Sequence, residues 1–184
     1  TIDGLDRVST TKRGKLNPQK TDITGIPVYQ EAFTLESTGN WRSLVQTTAG
    51  APTLNQTRAH NAANETGVIG STVGTDWVDP VHDATGNLTQ IPQPSAEATR
   101  LHLTYDAWNR LVKAQADAGG SPGTTTAEYQ YNAVHHRIVK LKPNGANWDR
   151  RDYYYSCEWQ VVEEREVLNT ASPTTVATAP KYQW

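Results

Sequence analysis

The residues with chemistry to offer are five histidines (His60, His82, His102, His135 and His136), one cysteine, Cys157, and aspartates that recur at tight turns, Asp3, Asp83 and Asp106. A metal centre needs side chains that converge on one ion, usually through an HxH or HxxxH spacing. No histidine pair here has that spacing: His135 and His136 are adjacent, and neighbours on an extended chain point to opposite faces. Cys157 has no partner for an internal disulfide. It reads as a small buried hydrophobe replacing a turn residue, with an intermolecular cross-link as the alternative. A cysteine–histidine nucleophile pair finds no local support. A glycosidase pair of carboxylates would need two unequal environments set by one cleft. The aspartates instead recur at one turn position, where an Asp side chain accepts from the backbone two residues on. The expectation is a chain with no catalytic residue, no metal and no cofactor.

The elements that position these residues are clearest over 101–142. Leu101, Leu103 and Tyr105 alternate with His102 and Thr104, which places three apolar side chains on one face of a strand. A polar corner, Asp106-Ala107-Trp108-Asn109-Arg110, leads into Leu111-Val112. The same order returns with Tyr129 and Tyr131, a corner over Asn132 to His136, and Arg137-Ile138-Val139. Between them, Ala118-Gly119-Gly120-Ser121-Pro122-Gly123 is loop chemistry. The unit is strand, aromatic, polar turn, strand.

Tyr105-Asp106-Ala107-Trp108-Asn109-Arg110-Leu111-Val112 resembles the YD repeat of the Rhs and teneurin families, whose pattern runs roughly Y-D-x-x-G-R-L. Asn109 stands at the glycine position, a conservative change where a corner needs positive φ. Further copies are Ile2–Val8, Phe33–Trp41 with Leu35 and Glu36 in the tyrosine and aspartate slots, and His60–Glu65. Two more are His82–Thr89, with Gly86, and Tyr153–Val162, which lacks the Asp. The aspartate slots fall at 3, 36, 61, 83, 106, 132 and 156, at intervals of 33, 25, 22, 23, 26 and 24. One insertion, over 9–32, interrupts the period. The resemblance implies successive β-hairpins that spiral into a continuous sheet, part of the wall of a large hollow shell. In relatives, autoproteolysis or toxin activity resides in a separate C-terminal region whose motif is absent from this sequence.

Composition agrees with an all-β chain: 25 Thr and 8 Tyr against no Met and one Phe, with 13 Gly and 10 Pro. Short helical turns are expected only around Ala59–Glu65 and Ala96–Arg100. Hydrophobic content of 36% and mean hydropathy of −0.66 suit a thin repetitive sheet better than a thick globule. The organisation expected is a repeat array over 1–168, with a Gly/Pro loop over 118–126. A Thr/Pro-rich linker and the start of a further strand follow over 169–184. A net charge of −2 leaves no footprint for nucleic acid, and no apolar run reaches the roughly 20 residues that span a bilayer as a helix. Lys12-Arg13-Gly14-Lys15 reads as solvated surface in the inserted loop.

Leu35, Tyr105, Tyr131 and Tyr155 are expected to form a ladder joining repeats, with Trp41, Trp108, Trp148 and Trp159 beside it. Asp3, Asp83 and Asp106 are expected to cap turns, and Arg7 and Arg110 to form ion pairs with neighbouring turns, Arg137 doing the same one position late. Sequons at Asn55, Asn64 and Asn87 are possible glycosylation sites. The absence of an initiator Met and a final aromatic run ending in Tyr182 and Trp184 suggest an excised piece or a head-to-tail subunit joined through those two residues. The partners expected are further copies of the chain or flanking repeats. The reading is a non-enzymatic, extracellular or cell-surface structural segment, a filament subunit or part of a shell wall. Two alternatives stand beside it: a glycan-binding module, which requires at least two of Trp77, Trp108 and Trp148 exposed and coplanar, and the scaffold part of a toxin-delivery protein.

Overall fold

A computed structural model describes all residues, 1–184. The chain is all-β, without a helix, and its strands form two antiparallel sheets in which nearly every strand pairs with its neighbours in sequence. The first sheet holds β1 (Thr10–Arg13), β2 (Tyr29–Leu35), β3 (Trp41–Thr48), β4 (Ala51–His60) and β5 (Thr66–Val73) in that order. The second holds β6 (Val81–His82), β7 (Leu88–Gln93), β8 (Ala96–Tyr105), β9 (Leu111–Asp117) and β10 (Pro122–Tyr131). It continues through β11 (Arg137–Asn144), β12 (Asn147–Tyr155), β13 (Val161–Thr170) and β14 (Tyr182–Gln183). Neither sheet closes on itself, so each has two edge strands. The chain forms two compact units, Thr1–Val81 with Pro92–Thr99, and His82–Ile91 with Arg100–Trp184.

In the first unit the buried apolar side chains are Leu44 and Ile69, and Gln56, paired with Leu44 and Ser71, is fully enclosed. In the second they are Ala114, Ala127, Val139 and Leu141. Burying side chains the size of Val139 and Leu141 contributes about 1.5–3 kcal/mol each. A core of so few large residues matches the low hydropathy: hairpin is laid on hairpin, and each buries little beyond its neighbours. The second unit adds a strap. After β13, residues 171–180 run without a strand, and Arg150 Nη1 donates to the Pro173 carbonyl at 2.7 Å. Arg165 Nη1 holds the Ala177 carbonyl at 3.2 Å.

Five hairpins slip register at the same point. Leu35 pairs with Trp41 but Thr34 with Ser43, and His60 with Thr66 but Ala59 with Val68. Tyr105, Tyr131 and Tyr155 pair with Leu111, Arg137 and Val161, while Thr104, Gln130 and Tyr154 skip to Lys113, Val139 and Glu163. Each outgoing strand therefore carries one extra residue: Arg42, Gly67, Val112, Ile138 or Val162. A bulge of this kind bends its strand and increases the local twist.

Several expectations are corrected. Neither helical turn forms: β4 runs to His60 and into a corner, and β8 runs unbroken from Ala96, because both segments find cross-strand partners. Lys12 and Arg13 lie in β1, paired with Gln30 and Tyr29, rather than in a loop. The Gly/Pro loop is shorter than 118–126, since Pro122 already opens β10, where a missing N–H is tolerated at the first residue. Cys157 is exposed, because the corner that carries it projects from the sheet.

Candidate functional site

Seven corners share one backbone geometry. The aspartate-slot N–H donates to the carbonyl four residues on, and the glycine-slot N–H donates back to the aspartate-slot carbonyl: Asp3 with Arg7 and Asp6, Asp106 with Arg110 and Asn109. Glu36, Asn61, Asp83, Asn132 and Ser156 repeat both bonds. The glycine slot is left-handed in every copy, with φ of 58° at Asp6, 93° at Gly39, 68° at Asn64 and 84° at Gly86. It is 58° at Asn109, 67° at His135 and 66° at Trp159. Asn and Asp tolerate that region and Gly prefers it, but His and Trp adopt it at a cost.

A side-chain oxygen in the aspartate slot caps six of these corners. Asp106 Oδ1 accepts from Trp108 N at 2.9 Å and Arg110 N at 3.0 Å, and Asp3 and Asp83 do the same within their corners. Asn61 and Asn132 reproduce the pattern through Oδ1, and Ser156 through Oγ. Glu36, one methylene longer, makes no such cap; it stands 3.7 Å from His60 Nδ1. The caps move the carboxylates. Hydrogen bonds from the Arg7 side chain and from Leu5 and Arg7 N–H groups hold Asp3 at about 2, and those from Asn87 and Thr85 hold Asp83 at about 2. At Asp106 burial pushes the other way, but bonds from Arg110 and Trp108 leave the carboxyl below its ordinary value.

The arginine slot links one corner to the next. Arg7 and Arg110 each clasp their own aspartate, at 2.7 Å for both ion pairs, and then donate Nη1 to the aspartate-slot carbonyl of the following corner. Those bonds are Arg7 to Glu36 O at 2.6 Å and Arg110 to Asn132 O at 3.1 Å. This corrects the expected ladder of ion pairs: the charge pair is internal to a turn, and the link between turns ends on a carbonyl. Arg137 finds no carboxylate and lies over the rings of Tyr129 and Tyr153. Asn40 and Asn87, in the same slot, instead bond the Oδ1 of the next glycine-slot residue, Asn64 and Asn109. His136 does neither; its ring stacks on Tyr155 at 4.4 Å and meets the edge of Trp159 at 4.6 Å, leaving Nε2 buried without a partner.

The tyrosine slot makes a second link. Tyr131 OH donates to Leu111 O at 2.9 Å and Tyr155 OH to Arg137 O at 3.0 Å, equivalent positions on the preceding outgoing strands. Burial raises the Tyr131 and Tyr105 hydroxyls above the usual phenol range. Leu35 has no hydroxyl to repeat the bond and lines an apolar groove of about 390 Å³ with Val8, Phe33 and Trp41. Equivalent grooves lie between the corners at Asp83 and Asp106, about 380 Å³, and at Asn132 and Ser156, about 490 Å³.

The tryptophans are placed differently from expectation. Trp108 and Trp159 are each 66% exposed, because they ride on corner tips; the Arg110 guanidinium lies over the rings of both Trp108 and Tyr131. Trp41 packs on Phe33 with rings 4.9 Å apart, yet stays partly exposed, and Trp148 is half-buried. Of Trp77, Trp108 and Trp148 only Trp108 is exposed, so the condition set for glycan stacking is not met. Among the sequons, Asn55 sits mid-strand and Asn87 spends its amide on Asp83, Thr85 and Asn109; Asn64 alone stands exposed in a turn. Tyr182 and Trp184 lie along β13, rings 5.8 Å apart and both exposed. His102, buried, bonds Asp117 at 2.7 Å and fastens β8 to the end of β9.

No family model and no curated protein matches the chain. Among solved structures it is similar to TcdB2–TccC3–Cdc42, at 14% identity and a TM-score of 0.38 over 96% of this chain. It is similar also to TcdB2–TccC3 without its hypervariable C-terminal region, at 13% identity and a TM-score of 0.37 over 95%. The chain spans about a ninth of the length of those chains, 11% and 12%.

Proposed function

We propose that the chain is a non-enzymatic scaffold: a stretch of repeat wall whose role is to extend a sheet, at the cell surface or outside the cell, by adding hairpins in a fixed register. The observation that carries this reading is the corner-to-corner link. Arg7, Asn40, Asn87 and Arg110 each spend their side chain on the following corner. Residues with chemistry elsewhere in nature are consumed here by geometry: the corner aspartates cap N–H groups and the arginines tie carbonyls. Self-association extends the same logic, since β1 and β14 are edge strands with one unpaired side each. A head-to-tail contact between such edges builds an open filament where the rotation does not close. Electron microscopy of the purified chain over a range of concentrations tests this. Filaments with a regular axial repeat are the expected result; dispersed particles of one chain at every concentration would overturn the filament and leave a wall segment that needs flanking repeats.

A further inference from the structure

We propose that the face of β4 bearing Gln56, Arg58 and His60 is a binding site for a sulfate or phosphate group, free or carried as an ester, centred on Arg58. The repeat pattern marks the place. Two residues before the tyrosine slot, the copies ending in Leu35, Tyr105, Tyr131 and Tyr155 carry Phe33, Leu103, Tyr129 and Tyr153. In β4 the slot, the position two before it and the position four before it are His60, Arg58 and Gln56. Alternate residues of a strand share a face, so Arg58 and His60 stand where the neighbouring copies place aromatic or aliphatic side chains, with Gln56 beside them at a position that varies among Glu31, Leu101, Ala127 and Arg151. Local rules broken without an evident structural gain mark functional positions.

These side chains are unsatisfied. Gln56 is 0% exposed, and its Nε2 is buried with no hydrogen-bond partner. The same holds for Arg58 Nε, His60 Nδ1 and Ser71 Oγ, the last on β5 directly opposite Gln56. Arg58 makes one long bond, Nη2 to Gln56 Oε1 at 3.4 Å, and lies over the rings of Trp41 and Trp77 at 5.0 and 5.9 Å. It has no ion pair, and Glu36 stands by His60 Nδ1 at 3.7 Å. Burial alone lowers its pKa, the mark of a cation without a counter-charge. A buried water would satisfy the donors but leave the charge uncompensated. An oxyanion answers both, through charge-assisted bonds from the guanidinium, the amide and the hydroxyl.

Arg58 is the member of the site that a groove reaches. Arg58 lines a groove of about 460 Å³ together with Arg42, the bulge residue of β3, and no carboxylate lines it. Thr34, Ser43 and Thr57, in the transverse row set by the pairing of Ser43 with both Thr34 and Thr57, line the groove from the face of the sheet opposite Gln56 and Ser71.

Thermal unfolding of the full chain in sodium sulfate, sodium phosphate or phenyl phosphate, each against sodium chloride at matched ionic strength, tests the proposal. The expected result is a midpoint that rises and saturates at millimolar anion. Arg58→Met, which keeps an apolar stem against the two tryptophans, should abolish the saturable rise. Ser71→Ala should weaken the apparent affinity about tenfold, the scale of one hydrogen bond to a charged group. Saturation by phenyl phosphate as well as inorganic phosphate supports an esterified ligand, and saturation by inorganic phosphate alone supports the free ion. A shift that grows without saturating, or that Arg58→Met retains, is the general exclusion effect of such salts and overturns the site. Should Arg58→Met fail to fold, an unchanged affinity in Ser71→Ala overturns it equally. Neither result bears on whether the chain forms filaments.

Discussion

At the scale of single residues, the corner aspartates make stability depend on pH in a defined direction. Asp3 and Asp83 sit at about 2 in the fold, against an ordinary 3.8. A carboxyl whose pKa is depressed by folding adds stability that is complete above the unfolded value and is lost as pH falls through the folded one. The urea midpoint should therefore hold steady above about pH 4 and fall steadily between about pH 4 and pH 2. Asp83→Asn keeps the cap but removes the titration, so the slope over that window should flatten; an unchanged slope would assign the effect to other carboxylates. The glycine slot offers a second single-residue test. His135 holds φ at 67° with nothing in its side chain fixing it there. His135→Gly removes the left-handed penalty and should stabilise by about 1 kcal/mol, read from the urea midpoint at constant m-value. Asn109→Gly, starting from a residue that tolerates the region, should be near neutral.

At the scale of the element, the corner at Asn132 is the incomplete one. Asn132 caps it as an aspartate would, but His136 leaves Nε2 buried and bare and sends no bond to the carbonyl of Ser156. Asn132→Asp with His136→Arg rebuilds the arrangement at Asp106 and Arg110, with Tyr155 under the guanidinium as Tyr131 is under Arg110. His136→Arg alone gains the carbonyl bond without its clasp, and Asn132→Asp alone gains a carboxylate without a cation. A double-mutant cycle on urea unfolding should return a favourable coupling of about 1 kcal/mol; a coupling of zero would mean that the clasp does not orient the arginine. The corner was largely legible in the sequence, because its requirements are local: a short polar cap, a left-handed fourth position, a fixed spacing. Tyr105-Asp106 and His82-Asp83 announce it directly, and the spacing extends it to Asn132 and Ser156, whose oxygens do the same work with different atoms. What connects corners was not legible. Whether Arg110 meets a carboxylate or a carbonyl of the next turn depends on how the two corners are set side by side, which leaves no mark in composition. Exposure of Cys157 and Trp159 was hidden for a related reason: apolar residues on a projecting corner have the same one-letter pattern as apolar residues on a strand. The polar face of β4 left a readable trace, Gln56, Arg58 and His60 at alternate positions, but its meaning rests on partners that only the fold reveals as missing.

At the scale of the whole molecule, the question is what an edge strand does when its neighbour is absent. Natural sheets protect exposed edges with charge, proline or a cover. Lys12 and Arg13 give β1 such charges, whereas β14 consists of Tyr182 and Gln183, flanked by Trp184, with both aromatics exposed. An uncharged aromatic edge favours the addition of another strand, and the pairing of Glu163 with Gln183 and of Glu164 with Tyr182 holds β14 in place to offer it. If self-association proceeds through this edge, Tyr182→Lys combined with Trp184→Lys should leave the circular dichroism spectrum unchanged, since only a two-residue strand is touched. It should also convert concentration-dependent assembly in sedimentation velocity into a single slow species. Lys181 already pairs with Glu166 beside this edge, so the added lysines extend an existing cationic margin without burying charge. Assembly that persists in the double variant would move the joint to another surface, with the β1 edge the next to charge. A wild-type chain that sediments as one species at every concentration would remove self-assembly from the function and leave the sheet as wall for a longer polypeptide.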